Sequence, residues 1–180
     1  MNQIPKIDHT WTLFLDRDGV INQRNFEGYI LQWPDFQFTE GLLDAASQIG
    51  RLFGNIFVVT NQQCIAKALL TEEELTIIHQ QMCFSLAAHG LKIQEVKAAY
   101  EKKGVAPFRR KPNTAMALEL KAKFPSIDFK KSIMVGDTDS DIQFGKALGM
   151  FTILVRSKEK TQLIPDLSID CLADLPKYLL

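Results

Sequence analysis

The stretch Thr12-Leu13-Phe14-Leu15-Asp16-Arg17-Asp18-Gly19 passes from an uninterrupted apolar run to a pair of carboxylates. Apolar runs without polar alternation are typical of strands that are buried on both faces of a parallel sheet. Acidic residues followed by glycine are typical of a turn. The stretch therefore predicts a central strand at Thr12–Leu15 that ends at two carboxylates.

Further apolar runs rich in β-branched and aromatic residues predict the other strands: Ile56–Val59, Ile133–Val135, Phe151–Val155 and, more weakly, Val96–Tyr100. Segments with helical spacing lie between them: Leu42–Leu52, Leu75–Ala88, Ala115–Phe124 and Ile142–Leu148. Because strands alternate with helices, we expect an α/β fold, with a three-layer, Rossmann-like parallel sheet covered by helices on both faces.

Several predicted helix ends carry the residue types that helix ends favour. Thr71 and Glu74 predict a capping box, and Asn113 can cap the helix that follows it. Gly90 and Gly149 stand where a left-handed residue would end a helix.

The length of 180 residues favours one domain over residues 1–180, because a chain of this size can bury a hydrophobic core. Basic and acidic residues number 21 each and no basic stripe is present, so nothing predicts binding to nucleic acid or to an anionic membrane. The three cysteines are odd in number and lack Cys-x-x-Cys spacing, which fits a reducing compartment. No apolar run is long enough to span a bilayer, and we expect a soluble, cytoplasmic monomer.

Polar residues follow the predicted strands at the ends where parallel sheets bind ligands. They are Asp16 and Asp18 after the first strand, Thr60 and Asn61 after the second, and Asp137 with Asp141 after Ile133–Val135. Lys111 stands just before a helix and can reach the same edge. Carboxylates supply the oxygen ligands that Mg²⁺ prefers, and the set as a whole predicts metal-assisted phosphoryl chemistry.

Four motifs carry a family resemblance: residues 14–22, which begin Phe14-Leu15-Asp16; Val58-Val59-Thr60-Asn61-Gln62; Arg110-Lys111-Pro112; and Val135-Gly136-Asp137 with Asp141. In this order they resemble the motifs of the haloacid dehalogenase (HAD) superfamily. More narrowly, nearly the whole chain resembles the branch that contains heptose-bisphosphate and histidinol-phosphate phosphatases. Each motif alone is a weak signal, whereas four in order are specific.

The resemblance implies a covalent mechanism of phosphate-ester hydrolysis. Asp16 would attack phosphorus and form a phospho-aspartate, which divides one difficult displacement into two easier ones. Asp18 would protonate the leaving alkoxide and then take a proton from the hydrolytic water.

The resemblance also implies a magnesium site and a phosphate site. Asp16, Asp137 and the backbone carbonyl of Asp18 would hold Mg²⁺, and Asp141 would orient either Lys111 or a water on the metal. The phosphate oxygens would be bound by Thr60, by the backbone N–H of Asn61 and by Lys111. Arg110 would contact the substrate.

The chain departs from this branch in two segments that would face the substrate. Residues 100–110 contain no cysteine or histidine where the branch carries a zinc-binding loop, so we expect no zinc. Lys67-Ala68 replaces the branch's Arg-Gly. The substrate therefore stays open between a sugar phosphate or bisphosphate, such as heptose bisphosphate, and histidinol phosphate.

Only one helix and one strand are predicted between Asn61 and Arg110, so we expect a minimal cap and an open site. Arg24–Trp33 is a candidate lid, because it lies in a long irregular segment and contains a glycine and aromatic residues.

Other residues with reactive side chains have ordinary structural interpretations. Arg109 is expected at the surface, Asp139 as a cap or solvent-exposed group, and Cys64 as a space-filling thiol beside the site. The three histidines match no motif and are expected to be structural.

Two other functions stay open. One is a 3′-phosphatase for nucleic-acid ends, which the zero net charge disfavours. The other is a non-catalytic HAD-like binding domain, which is disfavoured because every catalytic role has a candidate residue.

Overall fold

The computed structural model describes residues 4–106 and 108–179. Within these residues, six strands form one sheet: β1 (Thr12–Leu15), β2 (Asn55–Asn61), β3 (Glu95–Ala99), β4 (Ser132–Gly136), β5 (Phe151–Val155) and β6 (Leu167–Ile169). All neighbouring strands are parallel, in the order β3-β2-β1-β4-β5-β6. The order reverses direction at β1, so the crevice beside its carboxyl end is where this fold binds ligands.

In the part of the chain that the structure describes, five α-helices connect or follow the strands: α1 (Leu42–Leu52), α2 (Glu72–Ala88), α3 (Ala115–Lys123), α4 (Asp139–Ala147) and α5 (Leu175–Leu179). Successive residues of β1 point to opposite faces of the sheet. Leu13 and Leu15 join the apolar cluster that includes α1, α2 and α5. Phe14 joins the second cluster, which includes α3 and α4. The predicted three-layer α/β fold is therefore confirmed.

The predicted strands and helices are all present. The bounds of β1, β5 and α1 agree with the prediction, and the other elements differ by up to three residues at an end. One of these differences matters for the site, because Thr60 and Asn61 are the last two residues of β2 and do not follow the strand.

The predicted helix ends also occur. Thr71 and Glu74 form the capping box of α2, and the Asn113 side chain accepts a hydrogen bond from the backbone N–H of Ala115 (2.8 Å) at the start of α3. Gly90 and Gly149 have φ angles of +90° and +74°, as left-handed helix ends require.

Two elements near the carboxyl end were not predicted, namely β6 and α5. β6 extends the sheet beyond β5. Leu175 of α5 and Leu172 before it are fully buried in the cluster on the α1 face.

The long segment between β1 and α1 has little regular structure, and apart from two isolated β-bridges and a short 3-10 turn at Trp33–Asp35 it runs as loop. It is packed by aromatic contacts, with Trp33 stacked on Phe36 at 5.0 Å between ring centres. Among the described residues, no helix has the length and apolar character that crossing a bilayer would require.

Candidate active site

The centre of the site is a buried ion pair at the carboxyl end of β1. Lys111 Nζ lies 2.9 Å from Asp16 Oδ1 and 2.5 Å from Asp141 Oδ1, and it also donates to the carbonyl of Val59 (2.7 Å). Lys111 is only 2% exposed. A buried ammonium that is shared by two carboxylates has a fixed position, so Lys111 presents one localised positive charge beside Asp16.

Asp137 approaches the same point from the end of β4. The backbone at Gly19 passes so close that a Cβ there would lie 2.1 Å from Asp137 Oδ2, and Gly19 has a φ angle of +88°. Glycine is therefore required at this position by both space and conformation. On the outer side, Arg24 Nη1 contacts Asp137 Oδ2 (2.9 Å) and Glu159 Oε1 (3.3 Å).

Two carboxyl groups of this cluster, those of Asp16 and Asp137, have raised pKa values. Burial raises the pKa of Asp16 to about 6, with Asp141 and Asp18 adding to the effect while Lys111 opposes it. Burial and the charge of Asp16 raise the pKa of Asp137 to about 8. Burial would lower the pKa of Lys111, but the carboxylates of Asp141 and Asp16 outweigh it and raise that pKa. Both shifts show that ionised Asp16 and Asp137 are costly in this buried site when no further positive charge is present.

The donor set fits a small divalent cation. One carboxylate oxygen from each of Asp16, Asp137 and Asp141 lies within 4.8 Å of the others. Within residues 4–106 and 108–179, Asp137 Oδ1 is buried and has no hydrogen-bond partner. A buried carboxylate oxygen without a partner is costly unless something positive binds it, and oxygen donors are what Mg²⁺ prefers.

The Asp18 side chain lies outside this cluster and is held by four hydrogen bonds. Its Oδ1 accepts from Arg17 Nη2 (2.8 Å), Arg17 Nε (3.2 Å) and Asn22 Nδ2 (3.0 Å), and its Oδ2 accepts from Gln62 Nε2 (2.7 Å). Burial would raise the pKa of Asp18, but the Arg17 charge and these hydrogen bonds outweigh it and lower that pKa. Of the Asp18 atoms, the backbone carbonyl is therefore the expected metal ligand, as the sequence motif implies.

Arg17 is itself almost completely buried, with 1% exposure. Besides Asp18, its guanidinium donates from Nη1 to His79 Nε2 (3.2 Å) on α2. Burial and the Arg17 charge lower the pKa of His79 to about 3. His79 is thus a neutral acceptor that holds Arg17 from behind Asp18.

Thr60 and Asn61 reach the site from the end of β2. Thr60 is 1% exposed, and its Oγ1 accepts from Gln62 Nε2 (2.9 Å). The Asn61 side chain accepts from the Lys111 N–H (2.9 Å) and donates to the Lys111 carbonyl (3.2 Å). Asn61 therefore fixes the backbone that carries the catalytic lysine candidate.

A cavity of about 860 Å³ opens over this group. The side chains predicted to react with or bind the substrate all line it: Asp16, Asp18, Thr60, Asn61, Arg110 and Lys111. Its outer walls come from two loops, one containing Arg24 and Tyr29 and the other containing Lys103 and Phe108. The cavity has room for a phosphorylated sugar, with positive side chains at its rim.

The structure also places residues at the site to which the sequence motifs gave no role. Arg17, Asn22 and Gln62 lie within the first two sequence motifs, and this position could have indicated that they are near the site. Arg24 and His79 lie far along the chain from their partners, and no pattern in the sequence pairs them.

The residues given ordinary interpretations behave in different ways. Asp139 caps a loop by accepting from the backbone N–H groups of Gln162 and Leu163 (3.0 Å each). Cys64 is fully buried. Arg109 is partly exposed but forms a two-point ion pair with Glu119, so its description as a surface residue was incomplete.

Comparison with known proteins agrees with the fold. A family model described as HAD-hydrolase-like matches residues 108–174. A D-glycero-β-D-manno-heptose-1,7-bisphosphate 7-phosphatase of Vibrio cholerae is 33% identical, over 93% of this chain and 95% of its own length. A D-glycero-α-D-manno-heptose-1,7-bisphosphate 7-phosphatase of Mycobacterium tuberculosis is 32% identical, over 75% of this chain and 71% of its own length.

A solved structure shares the fold. It is the D,D-heptose 1,7-bisphosphate phosphatase of B. bronchiseptica, complexed with magnesium and phosphate. It has a TM-score of 0.82 and 22% identity, and the alignment covers 94% of this chain and 97% of the other.

The parallel sheet and the carboxylate–lysine site at its carboxyl edge are those of a HAD-like hydrolase. Within that superfamily, the chain belongs to the phosphatase family that these relatives represent.

Proposed function

We propose that the chain removes one phosphate from a sugar bisphosphate of the heptose 1,7-bisphosphate type, through a phospho-aspartate on Asp16. The observation that carries this proposal is the buried contact between Asp16 and Lys111 on the floor of the cavity, with Asp137 beside it. The relatives that match nearly the whole chain hydrolyse heptose 1,7-bisphosphates, as their names state.

In the first step, an Asp16 carboxylate oxygen attacks phosphorus, and the bond from phosphorus to the leaving oxygen breaks. Lys111 and Thr60 bind the phosphate oxygens, together with the backbone N–H of Asn61. These groups are held by other contacts, so little reorganisation is needed as charge develops.

Asp18 acts as the general acid in the first step and as the general base in the second. It gives a proton to the leaving alkoxide, which is otherwise a poor leaving group. In the second step, the Asp18 carboxylate takes a proton from the water that attacks the phosphorus of phospho-Asp16. Phosphate is released and Asp16 returns to its starting state.

Magnesium fits the donor set described above, and we propose Asp16, Asp137 and the Asp18 carbonyl as its ligands, with Asp141 beside it. When bound, Mg²⁺ supplies positive charge that offsets the repulsion between the Asp16 carboxylate and the incoming phosphate. We propose no zinc, because residues 100–110 offer no cysteine or histidine.

Three further properties belong to the same proposal. We propose that residues 1–180 form one catalytic domain that acts as a monomer on small molecules, without nucleic acid. We propose a cytoplasmic location, which the three free cysteines support. We propose residues 24–33 as a lid, since Arg24 and Tyr29 from this segment line the cavity.

A substrate panel tests the function. It contains heptose 1,7-bisphosphate, histidinol phosphate, a 3′-phosphorylated oligonucleotide and nitrophenyl phosphate, each with and without Mg²⁺. We expect the bisphosphate to have the highest kcat/KM, and we expect Asp16→Asn to abolish turnover of all four. A preference for histidinol phosphate or for the oligonucleotide would replace the proposed substrate. Turnover that survives Asp16→Asn would refute the covalent mechanism.

A further inference from the structure

The described residues of one cavity wall, 101–106 and 108–110, form no helix or strand, yet they include the substrate-binding candidate Arg110. We infer that the ion pair between Arg109 and Glu119 is a positioning element that holds this wall, and with it Arg110, against the substrate. The inference rests on the function proposed above and assigns a role to two residues outside the sequence motifs.

The geometry of this ion pair is that of a directed contact. Arg109 Nη2 donates to both oxygens of Glu119 (2.8 Å each), and Arg109 Nε donates to Oε1 (3.0 Å). Exposed ion pairs usually contribute little, but two-point contacts between arginine and a carboxylate are the exception because their geometry is fixed. Arg109 is therefore attached to a rigid element, helix α3, which carries Glu119.

Glu119 is held in turn by a row of alternating charges. Lys97 Nζ on β3 lies 3.5 Å from Glu119 Oε2 and 3.2 Å from Glu95 Oε1, and Lys123 Nζ lies 2.6 Å from Glu95 Oε2. The row connects the loop to the sheet and to α3. Networks of this kind are stronger than isolated surface pairs.

The Arg109–Glu119 ion pair holds the residue directly before Arg110. The Arg109 N–H donates to the Glu101 carboxylate, and Arg110 Nη1 donates to the Glu101 carbonyl (3.2 Å). The two ends of the loop are thus joined at Arg109 and Arg110.

Lys111 has a separate anchor, because its backbone is held by the Asn61 side chain. Loss of the Arg109–Glu119 pair should therefore disturb Arg110 while Lys111 stays in place. A disturbed Arg110 weakens substrate binding, and an intact Lys111 preserves the chemical step. Weaker substrate binding with an unchanged chemical step would therefore indicate a displaced Arg110, whereas a general loss of structure would impair both.

The test compares Glu119→Gln with Glu95→Gln. Both remove one negative charge from the same row, but only Glu119 contacts the loop. On the sugar bisphosphate we expect Glu119→Gln to raise KM about three- to tenfold with kcat within about twofold of wild type. We expect Glu95→Gln to change KM by less than about twofold, because Lys97 still contacts Glu119. On nitrophenyl phosphate, which lacks the sugar and the second phosphate, we expect neither variant to change KM.

A double-mutant cycle tests whether Glu119 acts through Arg110. Arg110→Ala should raise KM for the bisphosphate, and adding Glu119→Gln should raise it no further. The reversed pair Arg109→Glu with Glu119→Arg should recover part of the loss that either single change causes.

The outcomes separate this inference from the proposed function. Wild-type protein that hydrolyses neither substrate would refute the proposed function. If the wild type hydrolyses both, three results would overturn the positioning role alone: Glu119→Gln indistinguishable from Glu95→Gln, equal losses on both substrates, or additive effects with Arg110→Ala.

Discussion

Asp18 accepts hydrogen bonds from Arg17, Asn22 and Gln62, and these donors favour its ionised form. A general acid must carry a proton when the leaving group departs. In the proposed mechanism, the entering phosphate raises the pKa of Asp18 so that it binds a proton, because a second negative charge nearby raises the pKa of a carboxyl group. Asp18 can thus serve as a base when the phosphate ester has gone and as an acid when it is present.

This role predicts a specific defect for Asp18→Asn. We expect kcat for an alkyl phosphate to fall by about a hundred- to ten-thousandfold, since the alkoxide no longer receives a proton. Nitrophenolate leaves without protonation, so the pre-steady-state burst of its release should survive. Stopped-flow absorbance measures that burst, and a burst lost to the same degree as alkyl phosphate turnover would count against Asp18 as the acid.

His79 is the second residue whose charge state has a measurable consequence. Its pKa is lowered to about 3 in the folded protein by burial and by Arg17, against an ordinary value of 6.5. The unfolded chain therefore binds the proton first, and this residue's contribution to stability is present above pH 6.5 and is lost as the pH falls towards 3.

His79→Gln keeps an acceptor for Arg17 but cannot titrate. Between pH 7 and pH 5, we expect the free energy of unfolding of the wild type to fall by about 2 kcal/mol more than that of the variant. Urea titrations at both pH values measure the difference. Parallel pH dependence in the two proteins would show that His79 is not buried as a neutral ring.

At the scale of elements, the positions of the strands could be predicted because each strand has a local pattern of apolar residues that does not depend on distant contacts. The apolar runs predicted β1 to β5, and their carboxyl ends indicated Asp16, Thr60 and Asp137 as neighbours. β6 was not predicted because Leu167-Ser168-Ile169 is short and is interrupted by a polar residue. α5 was not predicted because five residues are too few to show helical periodicity.

The contacts of irregular segments could not be read in the same way. Arg24 meets Asp137 across 113 positions of sequence, and Arg17 meets His79 across 62. No local periodicity records such a pairing, because it depends on how a loop folds over the finished sheet. The motif order predicted the residues that meet at the carboxyl end of β1, whereas the residues that support them could be found only from the coordinates.

The segment at residues 24–33 is held partly by apolar packing, since Ile30 is buried in the core and Trp33 stacks on Phe36, and partly by polar contacts at the cavity. The Tyr29 hydroxyl accepts from Lys67 Nζ (2.8 Å) and Gln63 Nε2 (3.0 Å), and Arg24 contacts Asp137. We expect vanadate with Mg²⁺ to slow amide hydrogen exchange in this segment, because a bound anion draws Arg24 and Tyr29 inward. Exchange in α5, which lies away from the cavity, is the internal control. Unchanged exchange at residues 24–33 would exclude the lid.

At the scale of the whole molecule, the acidic cluster links metal binding to pH. The folded-state pKa values of Asp16 and Asp137, about 6 and about 8, lie above the ordinary 3.8. The folded, metal-free protein therefore holds protons that the unfolded chain has released. Its stability contribution from these groups is present at low pH and declines as the pH rises through 6 and 8.

Magnesium binds carboxylates rather than carboxylic acids, so its affinity should rise between pH 6 and pH 8 and then level off. Calorimetry in two buffers of different ionisation enthalpy should show proton release on binding at pH 7. At a hundredfold excess over Kd, Mg²⁺ should stabilise the fold by about 2.7 kcal/mol. Asp137→Asn should weaken binding and reduce the pH dependence; an affinity that is constant across this range would place the metal elsewhere.

The covalent role of Asp16 is the claim on which the account depends, and chemical trapping tests it most directly. Protein quenched during turnover with Mg²⁺ is treated with borohydride, which reduces an acyl phosphate to an alcohol, and its peptides are analysed by mass spectrometry. We predict homoserine at position 16 only when substrate is present. With nitrophenyl phosphate as the substrate, we predict a higher yield for Asp18→Asn, because the intermediate still forms but its hydrolysis is slowed. Homoserine at another position, or an unmodified Asp16 in protein that is turning over, would contradict the mechanism.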